Sequence, residues 1–466
     1  MKNKVTARIK ARTRTHRDFR ESAIAHYHKL LAADEMLSPA VFEKLREAMR
    51  TSRLLYGERP IGVSLRPHFL QRRQMKGLTG AAEAVARALE KIAAAAVKSP
   101  SLMKRLGLTD IEQKLARIDP GFTGAAVTTR MDGFVHGEEI KFVEYNAQNP
   151  SSLSDQEGLN RLLFELPTMS IFAERYRLQQ FSATEKLLET LLATYREWKG
   201  AAGVPNIAIL DWKNLPTSNE FVLLRNHFTA RGVRTIICSP DELEYHGRKL
   251  RCGDCDVDLV YKRVLIHEFF SHYDETHPLV RAYLNHDVCL VNPFRCKIIH
   301  KKASFEFLTD EAHQNWFSSR ENEMIARSIP WTRCVADRRT TYRGRNVELI
   351  NFVRHNRARL VLKPNDDYGG RGVYIGPHLD ERAWDHAMTM ALAKDYVVQE
   401  AVDLYPEEFP IFNQTEWKLQ PMFVDTNPFL FGGKVCGAMV RVSNSPIVNV
   451  TSGGGETGFF VIHDAA

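Results

Sequence analysis

The sequence predicts a mixed α+β and α/β protein. A helical cap comes first, followed by a strand-rich region that encloses a small doubly wound α/β module. Three observations carry this expectation. Ala81 to Val97 is rich in alanine, with Val85, Leu89 and Ile92 on one helical face. From Ala125 the apolar period falls to two, in Ala126-Val-Thr-Thr-Arg130 and Ile140-Lys-Phe-Val-Glu-Tyr145. Between residues 207 and 264, apolar strands alternate with an amphipathic helix. At 466 residues the chain is long enough for two or three lobes with ample core. The expected divisions are a helical cap over 1–120, strands with connecting helices over 121–200, an α/β module over 201–293, and a last unit over 294–466.

In the cap, Ala23, Ala25, Leu30, Leu31, Met36 and Leu37 mark one helix. Ser38-Pro39 is a start signal for a second, which carries Val41, Phe42, Leu45 and Met49 on one face. The strand of residues 140–145 runs out through Glu144-Tyr-Asn-Ala-Gln-Asn-Pro150 into Ser151 and Ser152. Residues 182–199 read as a helix and 200–204 as a linker. Then come strand Ile207–Leu210, helix Glu220–Arg231, and strands Val233–Cys238 and Val257–Val264, with Leu279–Leu284 helical. The module lacks G-x-G-x-x-G, which argues against a nicotinamide site. Tyr396-Val-Val-Gln-Glu-Ala-Val402, Trp417–Val424 and Gly437–Val442 read as further strands.

Composition excludes several functions. Hydrophobic residues make up 44% and charged residues 26% of the chain, a soluble balance. No apolar run approaches the roughly 20 residues that span a bilayer, and no apolar segment follows the N-terminal charges, so neither a membrane partner nor a signal peptide is expected. The net charge of +8 has a local source: Lys2, Lys4, Arg8, Lys10, Arg12, Arg14, Arg17 and Arg20 face Asp18 alone within the first stretch. Such an arm fits nucleic acid, anionic lipid or an organelle-targeting pattern, but a solvated terminus is the simpler expectation and nucleic acid is disfavoured. The seven cysteines are scattered, which suits the reducing cytoplasm. Cys252-Gly-Asp-Cys255 is a lone CxxC and reads as a turn between two strands, not a zinc site.

The stretch Leu360-Val-Leu-Lys-Pro-Asn-Asp-Asp-Tyr-Gly-Gly-Arg-Gly-Val-Tyr-Ile375 concentrates the chemistry. A strand leads to Lys363; Asp366 and Asp367 precede Gly369, Gly370 and Gly372; a second strand follows. Glycines leave backbone amides uncovered, so such a loop can wrap a phosphate while a lysine adds a point charge. The acids suit that setting if a divalent cation stands between carboxylate and phosphate. Taken alone, a surface hairpin fits equally well. Upstream, Glu144 and Asn146 lie two apart on a strand and project from one face, presenting hard oxygens together.

The ordered set of Lys302 before a helix, Lys363 before an acidic glycine loop, Gln399-Glu400 ending a strand and Arg441 before Gly453-Gly-Gly455 resembles the ATP-grasp fold. Its Glu-x-Asn segment, Glu144-Tyr-Asn146, stands far upstream of Lys363. That order is similar to the circularly permuted ATP-grasp proteins, related to eukaryotic-type glutathione synthetase and the synthetase domain of glutathionylspermidine synthase. The resemblance covers roughly residues 125–466. It makes 201–293 the pre-ATP-grasp module and 294–466 the nucleotide-binding region.

The resemblance implies roles. Lys302 and Lys363 would contact ATP phosphates, with Gly369 and Gly370 in the covering loop. Gln399 and Glu400 would bond adenine, with Val398 and Val402 packed on it. Glu144, Asn146 and Asp367 would hold Mg²⁺, with Asp366 the alternative to Asp367. Arg130 and Arg441 would face the transferred phosphate and the acyl group. Gly453, Gly454 and Gly455 would form a lid. Ser151 and Ser152 would begin the loop lining the acceptor pocket, and Arg263 would meet a substrate carboxylate or form a salt bridge. The implied activity is ADP-forming carboxylate–amine ligation through an acylphosphate, with small-molecule carboxylate and amine substrates and room for a homodimer. A non-catalytic ATP-binding protein and a small-molecule kinase are the alternatives. The segment from Tyr405 to Trp417 carries no assignable substrate residues, so substrate identity does not transfer.

Overall fold

Capping side chains and apolar stripes set the N-terminal helices. The computed structural model describes residues 19–33, 37–412, 416–448, 450 and 454–463. After a helix over 19–33 comes Pro39–Thr51, opened by Ser38 Oγ accepting from Val41 N at 3.4 Å. The alanine-rich helix is longer than expected, Arg72–Val97, because Met75 and Leu78 extend its buried stripe and Gln74 accepts from Gln71 N. It packs in one core with Phe142, Leu430 and Val440.

Thr128–His136 and Glu139–Asn146 form an antiparallel hairpin. Its first strand starts two residues later than expected and pairs with Trp417–Phe431, placing Arg130 opposite Phe429. Trp417–Phe431 pairs in turn with Lys434–Ser443, and that strand with Gly455–Glu456. One wall of the molecule thus joins strands nearly 300 residues apart. A second antiparallel sheet has the order Thr332–Cys334, Tyr396–Glu400, Leu360–Pro364, Tyr374–Ile375.

Between them in sequence is a four-stranded parallel sheet, in the order Cys289–Val291, Leu259–Lys262, Ile207–Leu210, Thr235–Cys238. Ile207–Leu210 is buried along its whole length, as a parallel strand covered on both faces should be. Lys249–Cys252 and Cys255–Val257 pair with Cys252 opposite Cys255, so the CxxC is a hairpin turn. Among the described residues no helix is long and apolar enough to cross a membrane.

Asn292 fastens the parallel sheet to the Thr128–His136 strand. Its Oδ1 accepts from Val127 N (2.7 Å) and Thr128 N (2.9 Å), and its Nδ2 donates to Thr128 O (2.7 Å) and Ala147 O (2.8 Å). The residue is fully buried. Asn292→Ala strands four backbone groups, so we expect a loss of about 3–5 kcal/mol in urea unfolding. A loss below about 1 kcal/mol would show that these bonds do not hold the two sheets together.

Candidate active site

The antiparallel sheets face each other across a single cleft of about 1360 Å³. That exceeds the roughly 300–1,000 Å³ of a one-ligand site and leaves room for two or three small molecules. Arg130, Glu144, Asn146, Ser151, Ser152, Arg263, Lys302, Lys363, Asp367, Gly369, Gly370, Gln399, Glu400, Val402 and Arg441 all line it.

Lys363 projects from the Leu360–Pro364 strand, and its Nζ donates to Gln399 Oε1 at 2.7 Å and Val143 O at 3.3 Å. Burial pushes its pKa down to about 8, partly offset by attraction to Glu144. Lys302 Nζ donates to Asp367 O at 2.7 Å and lies 3.5 Å from Glu144 Oε1. Two ammonium groups therefore stand beside the upstream acid. Gly369, Gly370 and Gly372 all have positive φ, at 67°, 77° and 64°. A Cβ on Gly372 would lie 2.7 Å from Tyr396 Oη, so glycine is required there for space as well as for backbone angle.

Asp366 and Asp367 separate cleanly. Asp366 is turned away from the cleft, into Lys297 Nζ and Lys301 Nζ at 2.7 Å each, and both lysines also meet Glu112. Burial would raise its pKa, but the two lysines outweigh burial and hold it far below the usual range. The sequence alternative of Asp366 as a metal ligand is thus corrected: its carboxylate is consumed by a structural ion cluster. Asp367 faces the cleft. Asn365, unremarked in the sequence, ties the region together: its Oδ1 accepts from Ala303 N and its Nδ2 donates to Leu106 O, both at 2.9 Å. Glu144, Asn146 and Asp367 offer a carboxylate, an amide oxygen and a second carboxylate to one cavity, a donor set that fits a hard cation such as Mg²⁺.

At the other end, two expectations change. The Gln399 amide is occupied on both sides, by Lys363 and by Thr332 Oγ1 at 3.0 Å, so its side chain does not offer itself to a base. Glu400 accepts from Tyr342 Oη at 2.9 Å and Arg343 Nη2 at 2.7 Å. Val398 lies on the opposite face of its strand, packed with Leu360 and Trp384 in a separate core. The apolar cleft wall is instead Val361, Ile375, Ala401 and Val402. Alternation sends Val398 to the face opposite its neighbour Gln399, while Ala401 and Val402 lie past the end of the Tyr396–Glu400 strand.

The arginines share a counterion that the sequence reading missed. Asp132 Oδ1 lies 2.8 Å from Arg130 Nε, and its Oδ2 lies 2.8 Å from Arg441 Nη2. Asn146 Nδ2 also donates to Asp132 Oδ1, at 3.0 Å. Burial alone would raise the Asp132 pKa, but the two guanidinium groups hold it well below the carboxylate range. Arg441 also bonds Asp425 across the hairpin, its Nε 2.9 Å from Oδ2. Asp132 was findable, since a strand residue two places from Arg130 shares its face; Asp425 needed the hairpin register.

Gly453 lies outside the described residues. Gly454 is buried, and its carbonyl accepts from Arg59 Nη1 at 3.0 Å. Gly455 belongs to a strand, and a Cβ there would lie 2.2 Å from Val63 Cγ1. These two glycines are pinned under the N-terminal cap and do not line the cleft, which corrects their expected place in a lid; Val448 and Val450 reach the cleft instead. Ser152 takes a left-handed φ of 67° before helix Leu153–Phe164, and Ser151 O accepts from Arg130 Nη1 at 3.2 Å. Arg263 forms the salt-bridge alternative, its Nη2 3.2 Å from Glu220 Oε2, with Nη1 donating to Pro150 O.

No known protein-family profile matches the chain. A stretch of 130 residues, 26% of the chain, is 35% identical to a Frankia casuarinae protein provisionally named glutamate–cysteine ligase 2-2. A stretch of the same length is 34% identical to the Frankia alni protein provisionally named glutamate–cysteine ligase 2-3. The match spans only 15% of either relative's length. Among solved structures, a glutathione synthetase-like effector from Globodera pallida in apo form superposes with a TM-score of 0.58 and 15% identity, over 91% of this chain and 98% of that one. The chain therefore has the glutathione synthetase-like fold.

Proposed function

We propose that this chain is an ATP-dependent carboxylate–amine ligase of the ATP-grasp class, circularly permuted, which forms an amide or peptide-like bond through an acylphosphate. The observation that carries this reading is the gathering of Lys302, Lys363, Arg130, Arg441 and the Glu144–Asn146–Asp367 oxygens on one cleft large enough for nucleotide and two substrates. The ligase names of the partial relatives support it. The free cysteines fit a reducing cytoplasm.

Phosphoryl transfer to a carboxylate asks the protein for positioning and charge neutralisation more than for a nucleophile. The adenine ring would lie on Val361, Ile375, Ala401 and Val402. Lys302 and Lys363 would neutralise the phosphates beneath the glycine loop. Arg130 and Arg441, prealigned by Asp132, would face the oxygens that gain charge as the phosphoryl group moves. Mg²⁺, held by Glu144, Asn146 and Asp367, would supply further neutralisation between phosphates and acids. The amine then attacks the acyl carbon and phosphate leaves.

The testing experiment has two parts. Saturating MgATP should raise the melting temperature, since ligand at 100 times Kd adds about 2.7 kcal/mol. ADP release should then be screened against carboxylates with amino acids, polyamines and short peptides as acceptors. Acceptor-dependent ADP release with a condensed product supports ligation, and a phosphorylated product without condensation points to a kinase. No thermal shift at millimolar MgATP would remove the nucleotide assignment.

Lys363 also predicts a pH dependence. Its charged form binds phosphate, and that form is lost as pH rises through about 8. If only the charged form binds, MgATP affinity should weaken about eightfold between pH 7.5 and 9. Lys363→Arg, which keeps its charge over this range, should flatten the profile; a slope unchanged in that variant would assign the titration elsewhere.

A further inference from the structure

The α/β module carries metal-type donors that the cleft chemistry does not use. Cys238 ends the edge strand Thr235–Cys238, and the chain then turns tightly through Pro240–Glu242. In the small three-stranded sheet that follows, Cys252 pairs opposite Leu243, the residue after Glu242. A strand end, a turn and a second strand thus deliver Cys238, Glu242 and Cys252 to one spot. Their two sulfurs and a carboxylate oxygen all lie within 4.8 Å of one another. The cysteine that joins Cys252 is therefore not its CxxC neighbour. Cys255 donates instead to Asp256 O, at 3.5 Å.

The surroundings suit a divalent ion that accepts sulfur. Glu242 Oε2 accepts from Ser239 N at 2.8 Å, which fixes the carboxylate from behind. Its Oε1 meets the Lys213 ammonium at 3.0 Å. Both side chains of that pair are exposed, so the contact is weak, and a doubly charged ion at ligand distance outweighs it. Cys238 is buried, whereas Cys252 is half-buried and Glu242 exposed, so an ion has a path from solvent. Thiolates select Zn²⁺ over Mg²⁺, which takes oxygen ligands. Three protein donors leave one tetrahedral position for water. Where thiols stay reduced, a pair this close serves a metal rather than a disulfide.

We propose that Cys238, Glu242 and Cys252 bind Zn²⁺, in a site separate from the oxygen-lined cation site of the cleft. This site is independent of the ligase reading. The ion clamps the three-stranded sheet to the edge of the parallel sheet, two layers that the Pro240–Glu242 turn alone joins at this corner in sequence. Cys238 O also accepts from Asp211 N at 3.1 Å, and Asp211 lines the cleft. The clamp stands one backbone hydrogen bond behind the cleft wall, so zinc occupancy stiffens that wall.

The experiment titrates the full chain, reduced with a phosphine and held in excess Mg²⁺, with Co²⁺ and then Zn²⁺. One Co²⁺ should bind per chain and give thiolate-to-metal charge-transfer absorption, which Zn²⁺ then abolishes by displacement. An ion in the oxygen-lined cleft gives no such band, so the spectrum distinguishes the two sites. Residues that merely orient a metal ligand are worth roughly 10–100-fold in affinity. Cys252→Ser should therefore weaken binding at least about 100-fold, and Glu242→Gln at least about tenfold. Cys255→Ser should leave band and affinity unchanged. Zn²⁺ should raise the melting temperature of the parent but not of Cys252→Ser, whose metal-free melting temperature reports whether it folds. If that variant does not fold, Glu242→Gln, altered at an exposed side chain, carries the test. The site is overturned by the absence of the band at millimolar Co²⁺, or by a band that survives Cys252→Ser or is untouched by Glu242→Gln. Isolation of the reduced-buffer protein with Cys238 and Cys252 joined as a disulfide overturns it as well.

Discussion

Lys363→Ala is expected to abolish the MgATP-induced rise in melting temperature and to lower kcat/KM for ADP formation about 10²–10³-fold, the scale of removing one preorganised charge from a reacting phosphoryl group. The apo fold should survive. Lys363 is a buried cation whose desolvation already favours its neutral form, so its removal discards a charge the fold does not need. Its listeners are Gln399 Oε1 and Val143 O, and the Gln399 amide keeps Thr332 as a second partner. Thermal shift with and without MgATP, beside circular dichroism, separates the two effects. A variant that binds MgATP as the parent does would displace Lys363 from the site.

Asp132→Ala should be the most destabilising change in the cleft, by about 3–5 kcal/mol in urea unfolding, because it leaves two largely buried guanidinium groups sharing less negative charge. Arg441 keeps Asp425, whereas among the described residues Arg130 keeps the Ser151 O bond, the weak Met439 Sδ contact and the attraction of Glu456. Asp132→Asn retains hydrogen-bonding atoms but not the charge, so its stability loss should be smaller while ADP formation still falls steeply. A stability change within about 1 kcal/mol for the alanine variant would mean that solvent already screens the arginines.

Much of the cleft could be read from local sequence. Lys302, Lys363, Glu144 and Asn146 sit in short patterns where strand alternation and glycine turns set direction, and the structure brings them to one cavity. The failures arise where a partner lies far away in the chain. Asp366 and Asp367 are indistinguishable until Lys297 and Lys301 claim the first. Gln399 looked available until Lys363 and Thr332 occupied it. Gly454 and Gly455 looked loose because nothing nearby in sequence reveals Arg59 and Val63 pressed against them. The fold followed the same rule. Helices and hairpins were legible from periodicity, but the seam between Thr128–His136 and Trp417–Phe431 was not, since pairing across such a separation leaves no local trace.

That seam has a consequence for biosynthesis. Arg130 emerges from the ribosome long before its sheet neighbour Phe429. At roughly 5–20 residues per second, the strand bearing Arg130 and Asp132 waits some 15–60 s with one edge bare. During that interval the nascent chain exposes unpaired amides and carbonyls beside an apolar face, a template for wrong partners. A message truncated before Trp417 would leave that edge permanently open.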